Sequence, residues 1–311
     1  MSGFLPVDAQ PFECAGDSPH ECEMEVIDGT VAKVGAFEVQ RVLPRRAKRT
    51  IGHWCFVDHM GPGTVSDEIG LDVAPHPHIG LQTVTWLAQG AILHRDSLGT
   101  EQVIRPGQLN LMTAGHGVAH SEETVGLYSG PLHGMQLWLS LPPEVRNTEP
   151  AFEHHADLPR LELDGGAASV ILGTLGEVSS PARLDSAVVA AELRLRSGRT
   201  VVPLDPTFEY GIVVVEGPAV AVGAGRLGGG QMGYLGLGRD EVSIEAAEAT
   251  TVLLIGGVPR VEPLVMWWNY VAPSRAEIIE AHAQWADGDE RFGVVHSPLE
   301  RLVPPGPPWP A

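Results

Sequence analysis

Short runs of β-branched and aromatic residues, separated by glycine- and proline-containing turns, extend along most of the chain. The densest patterning follows Pro75. Residues 81–87 (LQTVTWL) have strand composition, and turns follow at Gln89-Gly90, Ser97-Leu98-Gly99 and Arg105-Pro106-Gly107. Short strands at this spacing predict an antiparallel barrel or sandwich, in which three hairpin-like reversals bring residue 78 back towards residue 120.

A second series of strand-like runs begins at Ser169, again with glycine-rich turns. We therefore predict an N-terminal barrel over residues 1–150, whose first strand starts at Met24, and a C-terminal barrel over residues 151–311. The strand order echoes the first half, as in an internal duplication, although no residue repeat can be aligned. Residues 156–271 contain no histidine, so the second barrel is predicted to be metal-free and to cover one face of the first.

The end of the chain leaves the strand pattern. Ser274-Arg275-Ala276-Glu277 has the spelling of a capping box and predicts a helix through about Trp285, which Gly288 ends. The proline-rich residues 304–310 predict an extended tail. The expected fold is all-β, with two antiparallel barrels, one short C-terminal helix and this tail.

Composition supports the architecture and limits the function. The 311 residues include 37 glycines and 26 prolines, which favour tight turns over long helices. The formal net charge of −19 at pH 7 repels phosphate backbones, so direct nucleic-acid binding is not expected. One basic cluster, residues 41–49, is interpreted as surface cations whose partners are neighbouring carboxylates.

The cysteines and the termini indicate the cellular setting. Cys14, Cys22 and Cys55 have no C-x-x-C spacing, and no N-terminal run is of the signal-peptide type, which favours a reducing, cytoplasmic location. No apolar run approaches the roughly twenty residues that cross a bilayer, so no membrane role is expected.

Two histidine-bearing pairs flank the dense β window. Residues two apart in a strand point to the same face, so His76 projects with His78, and His120 projects with Glu122. A single strand histidine is usually hydrogen-bonded and has no ligand role. Three imidazoles and a carboxylate in one place are costly to bury alone, so the spacing predicts a metal site formed by these four side chains.

This donor set limits the choice of metal. Three neutral imidazoles and a carboxylate leave net charge on a divalent ion and, in six-coordinate geometry, two open positions. Zinc prefers four tetrahedral ligands, and catalytic zinc usually has three protein ligands. Fe(II) is therefore expected, with Mn, Ni, Cu or Zn as alternatives, and the open positions predict a small phenolic or enediol substrate beside dioxygen.

Two residues of a later strand compete for a place beside the metal. Alternation along residues 133–139 puts Gln136 and Trp138 on one face and His133 on the other, and both faces carry large side chains. Period alone leaves open which face is inside, so Gln136 and His133 are both candidates for supporting the site.

Three stretches resemble, in order and spacing, the pirin family of two-domain cupin proteins: HPHIGLQTVTWL, PGQLNLMTAGHGVAHSE and LHGMQLWLSLP. The resemblance covers nearly the whole chain and is closest over residues 52–142. It implies two cupin-type barrels (a bicupin) and a non-haem iron whose family ligands fall on His76, His78, His120 and Glu122. Some members look like dioxygenases that open flavonols such as quercetin, which implies a reaction of the quercetin 2,4-dioxygenase type with Glu122 as ligand and base.

The chain also departs from the family pattern at two positions. Arginine is common in the family where this chain has Ile79, and again in the glycine turn where it has His116. We expect His116 near the pocket mouth, where a titratable imidazole would affect which substrate is held. His94 and His59 match family positions: His94 is expected at a hairpin end or the pocket mouth, and His59 is expected to be either structural or a residue that supports the site.

The resemblance implies a second function of a different class. Some members are similar to non-enzymatic, redox-sensitive interaction proteins, in which conversion of Fe(II) to Fe(III) alters the surface that a protein partner meets. The acidic surface would suit a basic partner, but acidity is also an ordinary solubility feature. Oxygen uptake with flavonols and enediols distinguishes the enzyme from the regulator.

Overall fold

The structure is a computed structural model that describes residues 3–5, 24–35, 37–66 and 70–309. Cys14 and Cys22 lie outside these residues, and Cys55 is a buried free thiol. Regular structure in the described residues is almost entirely antiparallel β, which confirms the predicted class. In the same part of the chain no helix has the length and apolar character needed to cross a membrane.

The strands fall into two series on either side of residue 156. Those of the first series are β1 (Gly3–Leu5), β2 (Glu25–Asp28), β3 (Thr30–Val34), β4 (Phe37–Leu43), β5 (Trp54–Val65), β6 (Val73–His78), β7 (Leu81–Gln89), β8 (Ile92–Asp96), β9 (Glu101–Ile104), β10 (Leu109–Thr113), β11 (Val118–Thr124), β12 (Gly130–Ser140) and β13 (Ala151–His155). Those of the second series are β14 (Arg160–Leu163), β15 (Gly166–Leu172), β16 (Thr174–Leu175), β17 (Val178–Ser179), β18 (Val188–Leu195), β19 (Gly198–Pro203), β20 (Glu209–Glu216), β21 (Val220–Val222), β22 (Gly225–Leu227), β23 (Gln231–Gly236), β24 (Glu241–Ala246), β25 (Thr250–Gly257), β26 (Leu264–Trp267) and β27 (Tyr270–Ala272).

The first unit, formed by β3 to β13, consists of two antiparallel sheets. Seven strands follow the order β13-β10-β7-β12-β5-β4-β3, and four follow the order β6-β11-β8-β9. The predicted alternation holds in β7, whose Val84 and Trp86 enter the main core while Thr85 on the other face bonds Glu122. The larger sheet therefore presents a polar, site-facing side and an apolar side.

The second unit repeats this plan. Its seven strands follow the order β14-β15-β18-β25-β20-β23-β2, its four strands the order β19-β24-β21-β22, and β16 and β17 form a hairpin. The repeat matches the expected duplication. None of the four larger sheets closes on itself within the described residues, so the expectation of closed barrels is not confirmed.

One strand lies in a different unit from the one expected. β2 pairs with β23, with Val26 opposite Gly233, and forms the edge of the second unit's large sheet. The expectation that this segment starts the N-terminal barrel is therefore wrong. An alternating strand can add to any free sheet edge, and the pattern does not say which one.

The two large sheets share the main hydrophobic core. Buried side chains from the first unit, including Trp54, Trp86 and Leu137, form one cluster with Val213 and Leu253 of the second. The Trp54 indole N–H also donates to the carbonyl of Gly256 at 3.1 Å. The second unit thus buries the apolar face of the first, as expected, and leaves the opposite face for the site.

A buried polar group, here called the Glu209 cluster, joins the units next to this core. Glu209 of β20 accepts hydrogen bonds from the Gly52 amide (2.6 Å) and the Tyr234 hydroxyl (2.8 Å) and pairs with the Lys48 ammonium (2.9 Å). The ammonium also lies 4.5 Å from the Tyr234 ring centroid. Since all these side chains are buried, the cluster fixes the 44–52 loop of the first unit onto the second.

The C-terminal segment returns to the first unit. β26 and β27 form a small sheet with β1, and Tyr270 makes a β-bridge with Ile79. Helix α1 (Arg275–Asp287) begins at Ser274, whose hydroxyl accepts from the Glu277 amide, and ends at the left-handed Gly288, which confirms the predicted helix. A short 3-10 helix follows at Glu290–Phe292, and residues 293–309 have no helix or strand. In this tail the Leu302 amide donates to the carbonyl of Pro75 on β6.

Candidate metal centre and its cavity

The two predicted side-chain pairs lie on neighbouring strands of the four-stranded sheet. β11 pairs with β6 so that His120 lies opposite His76, and with β8 so that Glu122 lies opposite His94. Alternation keeps each pair on one face, as expected from the spacing of two. The hairpin reversals therefore bring residues from both ends of the β window into one place.

Three imidazoles converge in this place. One ring nitrogen from each of His76, His78 and His120 lies within 4.8 Å of the other two, and His78 Nε2 is 3.0 Å from His120 Nε2. All three side chains are buried. This is the arrangement expected of metal ligands rather than of separate structural histidines.

Hydrogen bonds to carbonyl oxygens set the tautomers of two rings. Since a carbonyl only accepts, His76 Nδ1–H donates to the Ala74 oxygen (2.8 Å) and His78 Nδ1–H donates to the Asn269 oxygen (2.9 Å). The Nε2 atom of each ring is left with its lone pair. Burial lowers the pKa of His76 to about 4, and burial together with the neighbouring imidazoles holds the pKa of His78 and His120 well below the usual value. The rings are neutral near pH 7 and available as donors to a metal.

A chain of groups supports His120 from behind. His94 Nε2 lies 3.1 Å from the Asp96 carboxylate, and His94 Nδ1 lies 3.4 Å from His120 Nδ1. In the neutral tautomer that the carboxylate selects, His94 accepts from His120 Nδ1–H, so His120 Nε2 also keeps its lone pair. The amides of Leu98 and Thr100 fix Asp96. His94 is buried and does not line the cavity, so the expectation that it lies at the cavity mouth is not met. It instead contacts the candidate ligand His120.

Glu122 lies beside the three histidines but outside their 4.8 Å group. Its carboxylate is buried, and burial raises its pKa, while His94 and a hydrogen bond from the Thr85 hydroxyl (3.2 Å) act in the opposite direction. One carboxylate oxygen is thereby held by Thr85. The structure brings three of the four expected ligands together and places the fourth on the same cavity wall.

The histidines open into a cavity of about 570 Å³, a size typical of small-molecule sites. Phe56 and Trp138 stack at 4.1 Å along one wall, and the Trp138 ring meets His78 edge-on at 5.1 Å. Gln136 also lines the cavity, and its buried Oε1 has no hydrogen-bond partner among the described residues. Of the two faces of β12, the one that carries Gln136 therefore faces the cavity, and the one that carries His133 does not.

Basic residues form the other part of the cavity lining, here called the cationic rim and composed of Lys33, Arg41, Arg45, Arg46 and Arg49. Arg41 makes two hydrogen bonds to Asp58, at 2.7 and 2.6 Å, and stacks 4.5 Å over Phe56. The interpretation of residues 41–49 as cations paired with neighbouring carboxylates holds for Arg41, but Lys48 is buried and not at the surface, and all four arginines of the run line the cavity. The sequence feature that could have indicated this role is that residues 41–49 are the one basic run in an acidic chain.

Three other residues of the lining, Met266, Trp268 and Asn269, come from the C-terminal segment and were missed by the sequence analysis. Trp268 has a positive φ of 52°, an uncommon backbone conformation for a large side chain. Asn269 acts through its backbone carbonyl, which any residue type could provide. No side-chain pattern therefore marks this segment as part of the site.

The remaining candidate histidines lie away from the cavity lining. His59 and His133 face one another, with their Nε2 atoms 2.7 Å apart and their rings stacked at 4.9 Å. His116 lies 3.3 Å from Glu149, and its carbonyl accepts from Arg291. None of the three lines the cavity, so the expectation that His116 lies at its mouth is not met.

Comparisons with known proteins agree with this arrangement. The family described as Pirin matches residues 36–139, and the Pirin C-terminal cupin domain matches residues 190–293. These segments fall on either side of the predicted boundary near residue 150, which stays a prediction.

Individual relatives cover almost the whole chain. A Pseudomonas aeruginosa protein named "Putative quercetin 2,3-dioxygenase" is 45% identical over 294 residues, covering 93% of this chain and 92% of that protein. A Pirin-like protein of Caulobacter vibrioides is 38% identical over 270 residues, covering 85% of this chain and 93% of that protein. A crystal structure of a quercetin 2,3-dioxygenase from Acinetobacter baumannii superposes with a TM-score of 0.88 at 42% identity, covering 92% of this chain and 96% of that one.

Proposed function

Because the chain belongs to the pirin family, we propose that it is a metal-dependent dioxygenase that opens flavonols such as quercetin or related small phenols and enediols. The observation that carries the proposal is the convergence of three buried, neutral imidazoles on one cavity. The names of the Pseudomonas and Acinetobacter relatives support the substrate class.

The donor set fits a divalent transition metal. Two Nε2 lone pairs are presented by rings whose Nδ1–H groups are bonded to carbonyls, and the third by a ring that His94 supports. We propose His76, His78, His120 and Glu122 as ligands and Fe(II) as the metal, with Mn, Ni, Cu and Zn as the other ions that this set can hold. Fe(II) bound there supplies Lewis acidity towards a phenolic oxygen and the redox chemistry that dioxygen requires.

Glu122 is the proposed base. Its carboxylate lies on the cavity wall with one oxygen bonded to Thr85, so the other oxygen is available to the metal or to a substrate proton. In this role it accepts the proton of the substrate hydroxyl at that oxygen. Gln136 Oε1, which has no partner among the described residues, accepts from a second hydroxyl.

The aromatic wall has a different role. Phe56 and Trp138 present stacked faces to the cavity, and Met60 and Met266 extend this apolar surface. A flat aromatic substrate packs against such a wall with little polar surface left unpaired. The same side chains exclude water from the reacting atoms.

Metal analysis and oxygen uptake test the proposal together. Wild-type protein is expected to contain about one transition metal ion per chain and to consume oxygen with quercetin. His76→Ala and His120→Ala each remove a donor and should lose the metal and the uptake. His155→Ala is the matched control, because His155 pairs with Glu153 and does not line the cavity.

The outcomes separate the parts of the proposal. Stoichiometric metal in both His76→Ala and His120→Ala would refute the ligand assignment. Metal without oxygen uptake across a panel of flavonols and enediols would favour the redox-sensitive interaction protein. The relatives carry 2,3 in their names whereas the family resemblance implied a 2,4 reaction, and labelling with ¹⁸O₂ identifies the carbons that receive oxygen.

A further inference from the structure

The charge of the cavity lining is opposite to that of the protein. The chain has 20 Lys and Arg residues against 39 Asp and Glu residues. The lining contains five cations, which form the cationic rim, and two carboxylates, Asp58 and Glu122. A quarter of all basic residues therefore surround one cavity in a chain of net charge −19.

Two cations of the rim, Lys33 and Arg46, have no ion pair with a described residue. Asp58 is engaged by Arg41, so these two charges offset each other, and Glu122 is the one other carboxylate of the lining. Both Lys33 and Arg46 are exposed. Arg45 bonds the Thr30 hydroxyl through Nη1, but its buried Nε–H has no partner among the described residues. Donors without acceptors at a cavity lining indicate that an anion belongs there.

The backbone that carries three of the rim arginines is also held in place before any ligand arrives. The Arg45 amide donates to the Lys48 carbonyl at 2.8 Å, and Lys48 is bound in the Glu209 cluster. The loop that carries three of the arginines is thus anchored to the second unit. Because the loop backbone is already fixed, only side-chain freedom is lost on binding, which favours specific recognition over loose charge attraction.

The other surfaces of the cavity limit what kind of anion fits. Phe56 and Trp138 offer an aromatic face, and Gln136, only 9% exposed, offers an acceptor without a partner. The cavity therefore combines a hydroxyl acceptor, an aromatic wall and a set of anion donors. Inorganic anions would use only the last of these three.

Building on the proposed function, we infer that the substrate of this protein is an anionic phenol, a hydroxylated aromatic ring that carries a carboxylate, and that Arg46 and Lys33 bind this carboxylate. The ring packs on the Phe56–Trp138 wall, with its hydroxyls towards the histidines and Gln136. A neutral flavonol shares the ring contacts but leaves the rim without an acceptor. Rim contacts thus determine specificity among phenols.

Binding of caffeate and its methyl ester tests this inference, because the two share the ring and hydroxyls and differ in the charge of the side chain. Isothermal titration calorimetry without oxygen measures binding without turnover. Wild-type protein should bind caffeate at least tenfold more tightly than methyl caffeate at low salt. The ratio should shrink in 0.5 M NaCl, where charges are screened within a few ångströms.

Arg46→Gln and Lys33→Gln should each weaken caffeate binding about fivefold or more and leave the affinity for the ester unchanged. Arg226→Gln is the matched control, since this substitution removes the same charge from an exposed residue that does not line the cavity. Equal affinities for acid and ester, or no binding of the acid, would overturn the inference. An equal loss in Arg226→Gln would also overturn it, by showing that total charge alone is responsible.

The experiment separates this inference from the proposed function. Absence of oxygen uptake in air with caffeate, methyl caffeate and quercetin would refute the dioxygenase while the difference in affinity stands. Oxygen uptake with all three, together with equal affinities, would refute the anionic substrate and leave the dioxygenase in place.

Discussion

Replacing Glu209 by glutamine should destabilise the protein from a position that lies outside the cavity lining. The substitution keeps the shape of the side chain but removes the charge that pairs with Lys48, and both residues are buried. Removing one partner of a buried ion pair usually costs about 3–5 kcal/mol, because the other charge is left without a counterion. Two features of the cluster reduce this loss: the amide oxygen still accepts one hydrogen bond, and the Tyr234 ring still faces the ammonium. We expect a net loss of about 2–4 kcal/mol.

Calorimetry or urea unfolding measures this loss. If the 311 residues unfold as one unit, the unfolding entropy is about 0.65 kcal/mol/K, so a loss of about 3 kcal/mol lowers the Tm by about 5 °C. Glu245→Gln is the matched control: Glu245 is exposed on β24, and its replacement should change stability by less than about 0.5 kcal/mol.

A double variant tests the stated cause. Lys48→Met removes the cation that Glu209→Gln leaves unpaired, so the combined protein should be more stable than the sum of the two single losses predicts. If Glu209→Gln were as stable as Glu245→Gln, or if the two losses simply added, the reasoning about a stranded buried charge would be refuted.

Three further predictions concern the histidines and one turn. Burial and His133 lower the pKa of His59 from 6.5 to about 4, so its neutral form contributes stability that is present above pH 6.5 and is lost as the pH falls towards 4. In His59→Gln the free energy of unfolding in urea should therefore fall by up to about 3 kcal/mol less than in the wild type over this pH range. The same loss of stability with acid in His59→Gln and the wild type would count against the lowered pKa of His59. Gly80 has φ +67°, and an added Cβ would lie 2.3 Å from a backbone carbonyl oxygen. Gly80→Ala should therefore lower the free energy of unfolding by about 2–4 kcal/mol and weaken metal binding. Gly99→Ala is the control, since Gly99 has φ +89° but open space around it, and this substitution should cost about 1 kcal/mol. His94→Phe removes the acceptor behind a candidate ligand and should lower metal affinity about 10–100-fold in a chelator competition, and an unchanged affinity would exclude this supporting role.

The local geometry of the site could be predicted from the sequence. A spacing of two in a strand put His76 with His78 and His120 with Glu122, and the turns between them brought the strands into register. These are short-range rules that need no knowledge of the rest of the chain. They also identified helix α1, because its capping residues are adjacent in sequence.

The features that could not be predicted are those that depend on contacts between elements distant in sequence. β2 joins the second unit, and Asn269 reaches His78, through contacts that alternation does not encode. The choice between Gln136 and His133 likewise required the position of the neighbouring sheet, since both faces of β12 carry large side chains. The role of the basic run depended on its loop being anchored by Glu209, a residue 157 positions from its partner Gly52.

The hydrogen bond from His78 to Asn269 also sets an order of events during synthesis. Asn269 follows His78 by 191 residues, so at about 5–20 residues per second the ribosome needs about 10 to 40 s to supply the carbonyl that fixes this ring. Until then the N-terminal sheets can fold, but one candidate ligand keeps a free tautomer, and Met266 and Trp268 are not yet there to wall off the cavity. A metal held by the proposed ligands is therefore expected to bind tightly only after Asn269 has been synthesised and lies against His78.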